Sequence, residues 1–194
     1  MMLFSRVPPL ANRCKRSFFT LPSFDSTPQT FRESKVFPYK KEELFDVVSN
    51  VTSYPQFVPF CTGSRILNSS PREEMRPYTM DAELTVGFLS FNESYISRVT
   101  CVPYSSVKAV ASSSTPLFKT LSTVWQFEPR PEGKDGEHTT LVTLDLSFAF
   151  ASPVHAAVSS AFFGQVSKQM VQAFENRCSS VYDSKTRHHT SFLP

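Results

Sequence analysis

The feature that most constrains the fold of this chain is a period-two alternation of apolar and polar residues that recurs through its middle. Over residues 80–88, apolar side chains occupy the even positions, while Asp81, Glu83 and Thr85 occupy the odd ones. Alternation over this length predicts a half-buried strand of an antiparallel sheet. Further strands are predicted over residues 63–67, 91–102, 107–112, 121–128 and 142–150. The short connections between these strands favour a meander.

Helical patterns lie on both sides of this meander. Apolar residues at i, i+3, i+4 and i+7 predict a helix over residues 40–51, and Pro55 and Pro59 then bracket a turn or a single helical loop. A long C-terminal helix is predicted from Pro153, because a proline suits the first helical turn. Its apolar face consists of Val154, Ala157, Val158, Ala161, Phe162, Val166, Met170, Ala173 and Phe174.

These elements together predict an α+β helix-grip fold for residues 30–185, followed by a flexible tail at 186–194. A first strand at 31–37 precedes the two short helices, and a curved antiparallel sheet of about seven strands wraps around the long C-terminal helix. A meander that curls over a helix does not close on itself. We therefore expect a cavity between the sheet and that helix.

The first 29 residues differ in composition from the rest of the chain. They carry four basic residues and one acid, whereas residues 30–194 carry 16 of each. The apolar run is interrupted by Arg6, Pro8 and Pro9, so the segment does not fit a secretory signal. Its basic composition instead predicts a mitochondrial transit peptide, and a disordered basic terminus is the alternative.

The equal numbers of acidic and basic residues in the remainder give no basic stripe for nucleic acid, and no nucleic-acid partner is expected. The uncharged stretch 146–167 is interpreted as a strand followed by a helix, because it contains Pro153 and several polar residues.

Residue types that carry chemistry are sparse. The four cysteines form no CxxC pair, so neither a zinc site nor a redox dithiol is predicted. No nucleophile elbow, phosphate loop or HExxH motif occurs. His155 is the one candidate general base, although solvated and capping roles are commoner for such a histidine. Glu93 falls on the same face of its predicted strand as Tyr95, and a structural hydrogen bond is favoured there over proton transfer. We expect no catalytic residue, no metal site and no catalytic cofactor, and hence no enzyme.

The residues that do indicate a function are large and apolar. Large apolar residues come from every element that could line one interior space, which favours a ligand cavity over polar chemistry, with ordinary core packing as the alternative for each residue. Phe57, Val58 and Phe60 stand in the Pro-bracketed loop, where they form either an access lip or a lid on the last helix. The predicted cavity lining is Phe57, Val58, Phe60, Leu84, Val86, Phe88, Phe91, Trp125, Phe148, Phe162, Phe163, Val166 and Met170.

Four segments in order resemble the mitochondrial coenzyme Q-binding proteins of the START-like superfamily. They are 54–61 (YPQFVPFC), 84–100 (LTVGFLSFNESYISRVT), 117–129 (LFKTLSTVWQFEP) and 162–177 (FFGQVSKQMVQAFENR). The resemblance implies a helix-grip fold and ubiquinone or a related polyprenyl lipid as bound ligand. It also implies a peripheral place on the matrix side of the mitochondrial inner membrane, as a quinone chaperone or transfer protein. Such a protein would support respiratory electron transport and quinone biosynthesis, with the complexes of those processes as further partners.

Two alternatives stay open beside that resemblance. Bacterial relatives of similar fold include a ribosome-association inhibitor, so a module that binds a protein partner is one, and a START-like cyclase-type enzyme is the other. The chain also departs from the family pattern, because relatives usually have Trp at the position of Phe60. Phenylalanine keeps the aromatic ring and loses the indole N–H donor.

Overall fold

The computed structural model describes residues 28–88, 91–112, 118–131, 138–151 and 163–183. Seven strands and two α-helices occur within these residues, together with a 3-10 helix and a short π-helical turn. In chain order they are β1 (Gln29–Phe37), α1 (Lys41–Ser49), the 3-10 helix (Val51–Gln56), β2 (Cys61–Ser69), β3 (Tyr78–Phe88), β4 (Phe91–Val102), β5 (Ser106–Ala111), β6 (Phe118–Pro129), β7 (Thr140–Phe150), α2 (Phe163–Cys178) and the π-helical turn (Ser179–Asp183).

All seven strands form one antiparallel sheet. Strands β2 to β7 follow one another as the predicted meander, and β1 pairs with β7, so the order across the sheet is β1-β7-β6-β5-β4-β3-β2. The predicted helix-grip class is confirmed, with a curved seven-stranded sheet, two short helices after the first strand and a C-terminal helix. The pairing of β1 with β7 has no local signal, because it joins residues more than 100 positions apart.

Element boundaries differ from the predicted ones at several ends. The first strand begins at Gln29, two residues before the predicted start. The helix predicted over 40–51 was too long, since α1 ends at Ser49 and the chain continues as a 3-10 helix in which the Ser53 N–H donates to the Asn50 carbonyl. Pro55 lies inside that 3-10 helix and has no N–H to extend an α-helical ladder. The predicted start of the last helix at Pro153 lies outside the described residues.

The concave face of the sheet carries the core. The larger group of buried residues, here called the main cluster, takes side chains from α1, from α2 and from the inner faces of the strands, among them Leu84, Trp125 and Leu144. A second cluster consists of Phe118, Leu146 and Phe148. Phe31 and Tyr95 pack against both clusters. The apolar interior therefore continues along the sheet from one cluster to the other.

The outer face of the sheet is charged, as the alternation predicts. Asp81 pairs with Arg98 at 2.9 Å, and Glu83 pairs with Arg65 on the neighbouring strand. The adjacent arginines lower the pKa of both carboxyls. Exposed pairs of this kind contribute little to stability. Burial of the alternating residues Met80, Ala82 and Leu84 is what fixes which face of β3 points outward.

Helix α2 packs onto the concave face through its C-terminal half. The Phe174 ring lies 4.7 Å from the Trp125 ring, measured between centroids, and Lys35 of β1 donates to the Glu175 carboxylate at 2.7 Å. Val171 and Cys178 are buried on the same side. Within the described part of the chain, neither helix has the length and apolar character needed to span a bilayer.

Candidate ligand site

The loop that follows the 3-10 helix is held against α2 by aromatic contacts. Phe57 makes edge-to-face contacts with Tyr54 at 5.8 Å and with Phe174 at 5.1 Å. The Arg177 guanidinium lies 5.4 Å from the Phe57 ring centroid, and Val58 packs against the main cluster. Phe57 and Val58 thus have the arrangement of a lid on the last helix, one of the two interpretations that the sequence left open.

Phe60 ends this loop in an unusual backbone conformation. Its φ is +62°, in the left-handed region that non-glycine residues rarely adopt. The Gly87 N–H donates to the Phe60 carbonyl at 2.9 Å, which ties this conformation to the end of β3. The ring itself is half-buried. Strained backbone of this kind persists only where the surroundings fix it, and it is common at ligand-binding sites.

The inner faces of the strands supply the next part of the predicted lining. Leu84, Trp125 and Phe148 are buried, while Val86 is half-buried opposite Glu93 near the end of β3. Phe88 and Phe91 pair with each other where β3 turns into β4, but their side chains are outside the described ones. Trp125 and Leu84 belong to the main cluster, and Phe148 belongs to the second.

Helix α2 contributes Met170, which is partly buried against the main cluster. Phe162 lies outside the described residues, and so do the side chains of Phe163 and Val166. The structure therefore places Met170, Phe57, Val58, Trp125 and Leu84 around one interior. That Phe162, Phe163 and Val166 line the interior therefore remains a prediction.

Ser167 is a buried polar residue of α2 that the sequence prediction missed. Its relative exposure is 0%, and its Oγ has no hydrogen-bond partner in the described part of the protein. It lies three, four and seven residues before Met170, Val171 and Phe174, so it shares their face of the helix. A serine inside an apolar helical stripe is the sequence signal that could have identified it.

The thiols and phenols of this interior stay uncharged at neutral pH. Burial raises the pKa of the Cys61 and Cys101 thiols, and it raises that of Cys178 to about 12 with a further contribution from nearby carboxylates. Burial also raises the pKa of the Tyr54 and Tyr95 phenols. Thiols and phenols in this state are neither nucleophiles nor bases. Chemically, the arrangement offers an apolar surface with neutral thiols and phenols.

Of the two candidates for proton transfer, the structure describes only Glu93, and no hydrogen bond or ion pair joins its carboxylate to another described side chain. Glu93 lies on the inner face, half-buried, two residues from Tyr95 on the same strand. His155 lies outside the described residues. Across the described ranges, no three His, Cys, Asp or Glu side chains converge as a metal site.

A cleft of about 380 Å³ lies between the 3-10 helix and α2. Six of its eight lining residues are polar or charged, and the Arg177 guanidinium donates to the Gln56 side chain across it at 3.0 Å. These residue types differ from the apolar lining that the sequence predicts, and only Phe57 belongs to both sets. The lining residues are Gln56, Phe57, Gln169, Gln172, Ala173, Asn176, Arg177 and Ser180.

Comparison with known proteins identifies relatives of this architecture. The family described as polyketide cyclase / dehydrase and lipid transport matches residues 37–175. A mitochondrial coenzyme Q-binding protein of Xenopus laevis is 36% identical over 86% of this chain, which spans 66% of that relative's length. The mitochondrial coenzyme Q-binding protein of Schizosaccharomyces pombe is 32% identical over 82% of this chain and 89% of its own length. The ribosome association toxin RatA of Pseudomonas aeruginosa is 34% identical over 78% and 96%, respectively.

Solved structures agree with the fold. An 18 kDa protein from Caulobacter crescentus superposes with a TM-score of 0.61 at 31% identity, covering 80% of this chain and 99% of that one. An aromatase/cyclase from Streptomyces has the same TM-score of 0.61 at 13% identity, covering 78% and 94%, which supports the fold alone. With its helix-grip sheet, apolar interior and relatives at this level of identity, the chain belongs to the coenzyme Q-binding protein family of the START-like superfamily.

Proposed function

We propose that this protein binds coenzyme Q, or a related polyprenyl lipid, in the interior between the sheet and α2. The observation that carries the proposal is the apolar inner face, where Trp125 and Leu84 belong to one buried cluster, Met170 packs against it, and the thiols and phenols stay neutral. The naming of the frog and fission-yeast relatives as coenzyme Q-binding supports the same ligand. The protein then acts as a quinone chaperone or transfer protein for respiratory electron transport and quinone biosynthesis.

Burial of the isoprenoid tail supplies the affinity. Each methylene removed from water contributes about 0.8 kcal/mol, so a few isoprene units suffice for useful binding. Ligand pockets usually hold roughly 300–1,000 Å³, which is too little for a long polyprenyl tail. The head group and the proximal tail occupy the interior, and the distal tail stays in the membrane.

The protein is proposed to handle its ligand without chemical turnover. Glu93 has no partner base among the described side chains, and the buried cysteines and tyrosines keep their protons at neutral pH. Proton abstraction needs a positioned base whose pKa lies near the working pH. The cyclase-type alternative rests on fold likeness at low identity and carries no residue argument.

The proposed location is the matrix side of the mitochondrial inner membrane. The relatives named above from frog and yeast are mitochondrial by name, and residues 1–29 have transit-peptide composition. We propose residues 30–185 as the lipid-binding domain. Phe60, at the end of the loop, provides the peripheral contact beside which the ligand enters.

A ribosome-associated role is the second candidate, because the Pseudomonas toxin is 34% identical over nearly its whole length. Binding to ribosomal RNA would require a basic surface, and residues 30–194 carry equal numbers of acidic and basic residues. Cosedimentation with ribosomes in physiological salt, without bound quinone, would favour this candidate over lipid binding.

The proposal is tested by extracting purified protein from a ubiquinone-producing host and quantifying the quinone that copurifies. Met170→Trp should remove this quinone by filling the interior, while the free energy of unfolding stays the same or rises, because the added ring occupies ligand space. Val110→Trp is the matched control, since Val110 is 39% exposed on the outer face. It should retain the quinone.

Two results would count against lipid binding at this interior. Wild-type protein without any isoprenoid would remove the proposal. A Met170→Trp variant that loses about 1–3 kcal/mol of stability and still carries quinone would mean that Met170 belongs to a filled core.

A further inference from the structure

Ser167 combines complete burial with an unused hydroxyl. Its Oγ makes no hydrogen bond within the described residues, and water does not reach the side chain, which has 0% exposure. Serine hydroxyls inside helices usually bond to the carbonyl one turn earlier or to solvent. Neither partner satisfies Ser167, so the helix keeps a polar group whose desolvation is uncompensated in the ligand-free protein.

Ser167 lies on the face of α2 that packs over the apolar interior proposed to hold the ligand. Met170 and Val171 lie one turn further along the same face, and Phe174 lies two turns further, where its ring contacts Trp125 at 4.7 Å. Along β7, Leu144 belongs to the main cluster and Leu146, the next residue on that face, belongs to the second. The face of α2 that carries Ser167 is therefore the one that covers this apolar interior.

A serine hydroxyl can donate one hydrogen bond and accept others. A quinone head group presents two carbonyl oxygens, which are acceptors, on an otherwise apolar ring. Among the common constituents of a membrane interior, hydrocarbon tails offer no such acceptor. One hydroxyl in an apolar interior thus discriminates a quinone from a hydrocarbon of equal apolar surface.

We infer that Ser167 is a specificity-determining residue whose hydroxyl donates a hydrogen bond to a carbonyl oxygen of the bound quinone head group. This inference rests on the proposed function, because it assigns the polar contact within the same site. The head group then lies beside α2 near Met170, with the tail extending along the apolar face. Reduction to the hydroquinone would keep the contact, since the same serine can accept from a ring hydroxyl.

The test compares two ligands that differ in ring oxygens. Decylubiquinone carries the quinone carbonyls, and decylbenzene has the same tail on a ring without oxygen. Trp125 is the single tryptophan and is buried beside Phe174, so its fluorescence quenching reports quinone binding, and displacement of the quinone gives the affinity for decylbenzene. Both affinities are measured for wild type, Ser167→Ala and Ser180→Ala, whose exposed hydroxyl bonds to the Arg177 carbonyl at 2.9 Å.

Ser167→Ala should weaken decylubiquinone binding about three- to tenfold, the range of one neutral hydrogen bond, and change decylbenzene binding less than twofold. The ligand-free variant should unfold at the same or a higher denaturant concentration, because an unsatisfied polar group is gone. Ser180→Ala should resemble wild type for both ligands. Equal decylubiquinone affinity in Ser167→Ala and wild type, or an equal loss for both ligands, would overturn the inference and leave quinone binding intact. Absence of binding in wild type would remove the proposed function and this inference together.

Discussion

Phe60 joins an aromatic side chain to a backbone conformation that suits glycine, with φ at +62°. The left-handed region costs a non-glycine residue roughly 1–2 kcal/mol, whereas glycine adopts it freely. If the half-buried ring serves membrane contact rather than the core, Phe60→Gly should change the free energy of unfolding by less than about 1 kcal/mol, because relieved strain offsets the lost contacts. Binding to phosphatidylcholine vesicles, measured by cosedimentation, should fall.

Phe60→Leu is the matched control, since leucine keeps an apolar side chain at the same strained backbone and should retain most of the vesicle binding. Phe60→Glu should abolish vesicle binding while the fold is preserved. A loss of about 3–5 kcal/mol in Phe60→Gly, the usual cost of removing a core phenylalanine, would show instead that the ring is part of the core.

Helix α2 is joined to the 3-10 helix and to the sheet through Phe174. Its ring contacts Tyr54 at 5.5 Å, Phe57 at 5.1 Å and Trp125 at 4.7 Å. Phe174→Ala should therefore lower the free energy of unfolding by about 3–5 kcal/mol in urea denaturation. Lys168→Ala, on the exposed side of the same helix, should stay within about 0.5 kcal/mol of wild type. Similar stabilities for the two variants would show that α2 is held by other contacts.

The sequence was most informative about strands and least informative about pairs of residues that lie far apart in the chain. Alternation located β3, β6 and β7, because the two faces of a strand have different surroundings. It carried no signal for β1 beside β7, since pairing partners are set by the whole fold. The burial of Ser167 was missed for a related reason: a serine in a helix is ordinarily solvated, and it is tertiary packing that makes this position interior.

Buried thiols and phenols are distributed over the whole fold, and this distribution makes the native state sensitive to alkali. Burial raises the pKa of Tyr78 in the sheet, of Cys178 in α2 and of Tyr182 beyond it to about 12 each, with carboxylates adding to the effect at Cys178 and Tyr182. In the unfolded chain the same groups release their protons near their ordinary pKa values, about 8.5 for cysteine and about 10 for tyrosine. Between those ordinary values and the raised pKa of the folded protein, the native state binds more protons than the unfolded state. Stability therefore falls as pH rises through this interval.

The expected result is a free energy of unfolding that declines from about pH 9 upward, when urea denaturation is measured in steps from pH 7 to pH 11. A single group that titrates only in the unfolded state contributes up to about 1.4 kcal/mol per pH unit to this slope. Cys178→Ala removes one such group and should reduce the slope between pH 9 and pH 11 by up to that amount, although the variant is less stable at pH 7 because a buried side chain is truncated. Lys168→Ala provides the control for a change on the exposed side of the helix and should keep the wild-type slope. A slope unaltered by Cys178→Ala would mean that its thiol ionises in the folded protein as readily as in the unfolded chain, and that α2 does not seal this end of the interior from water.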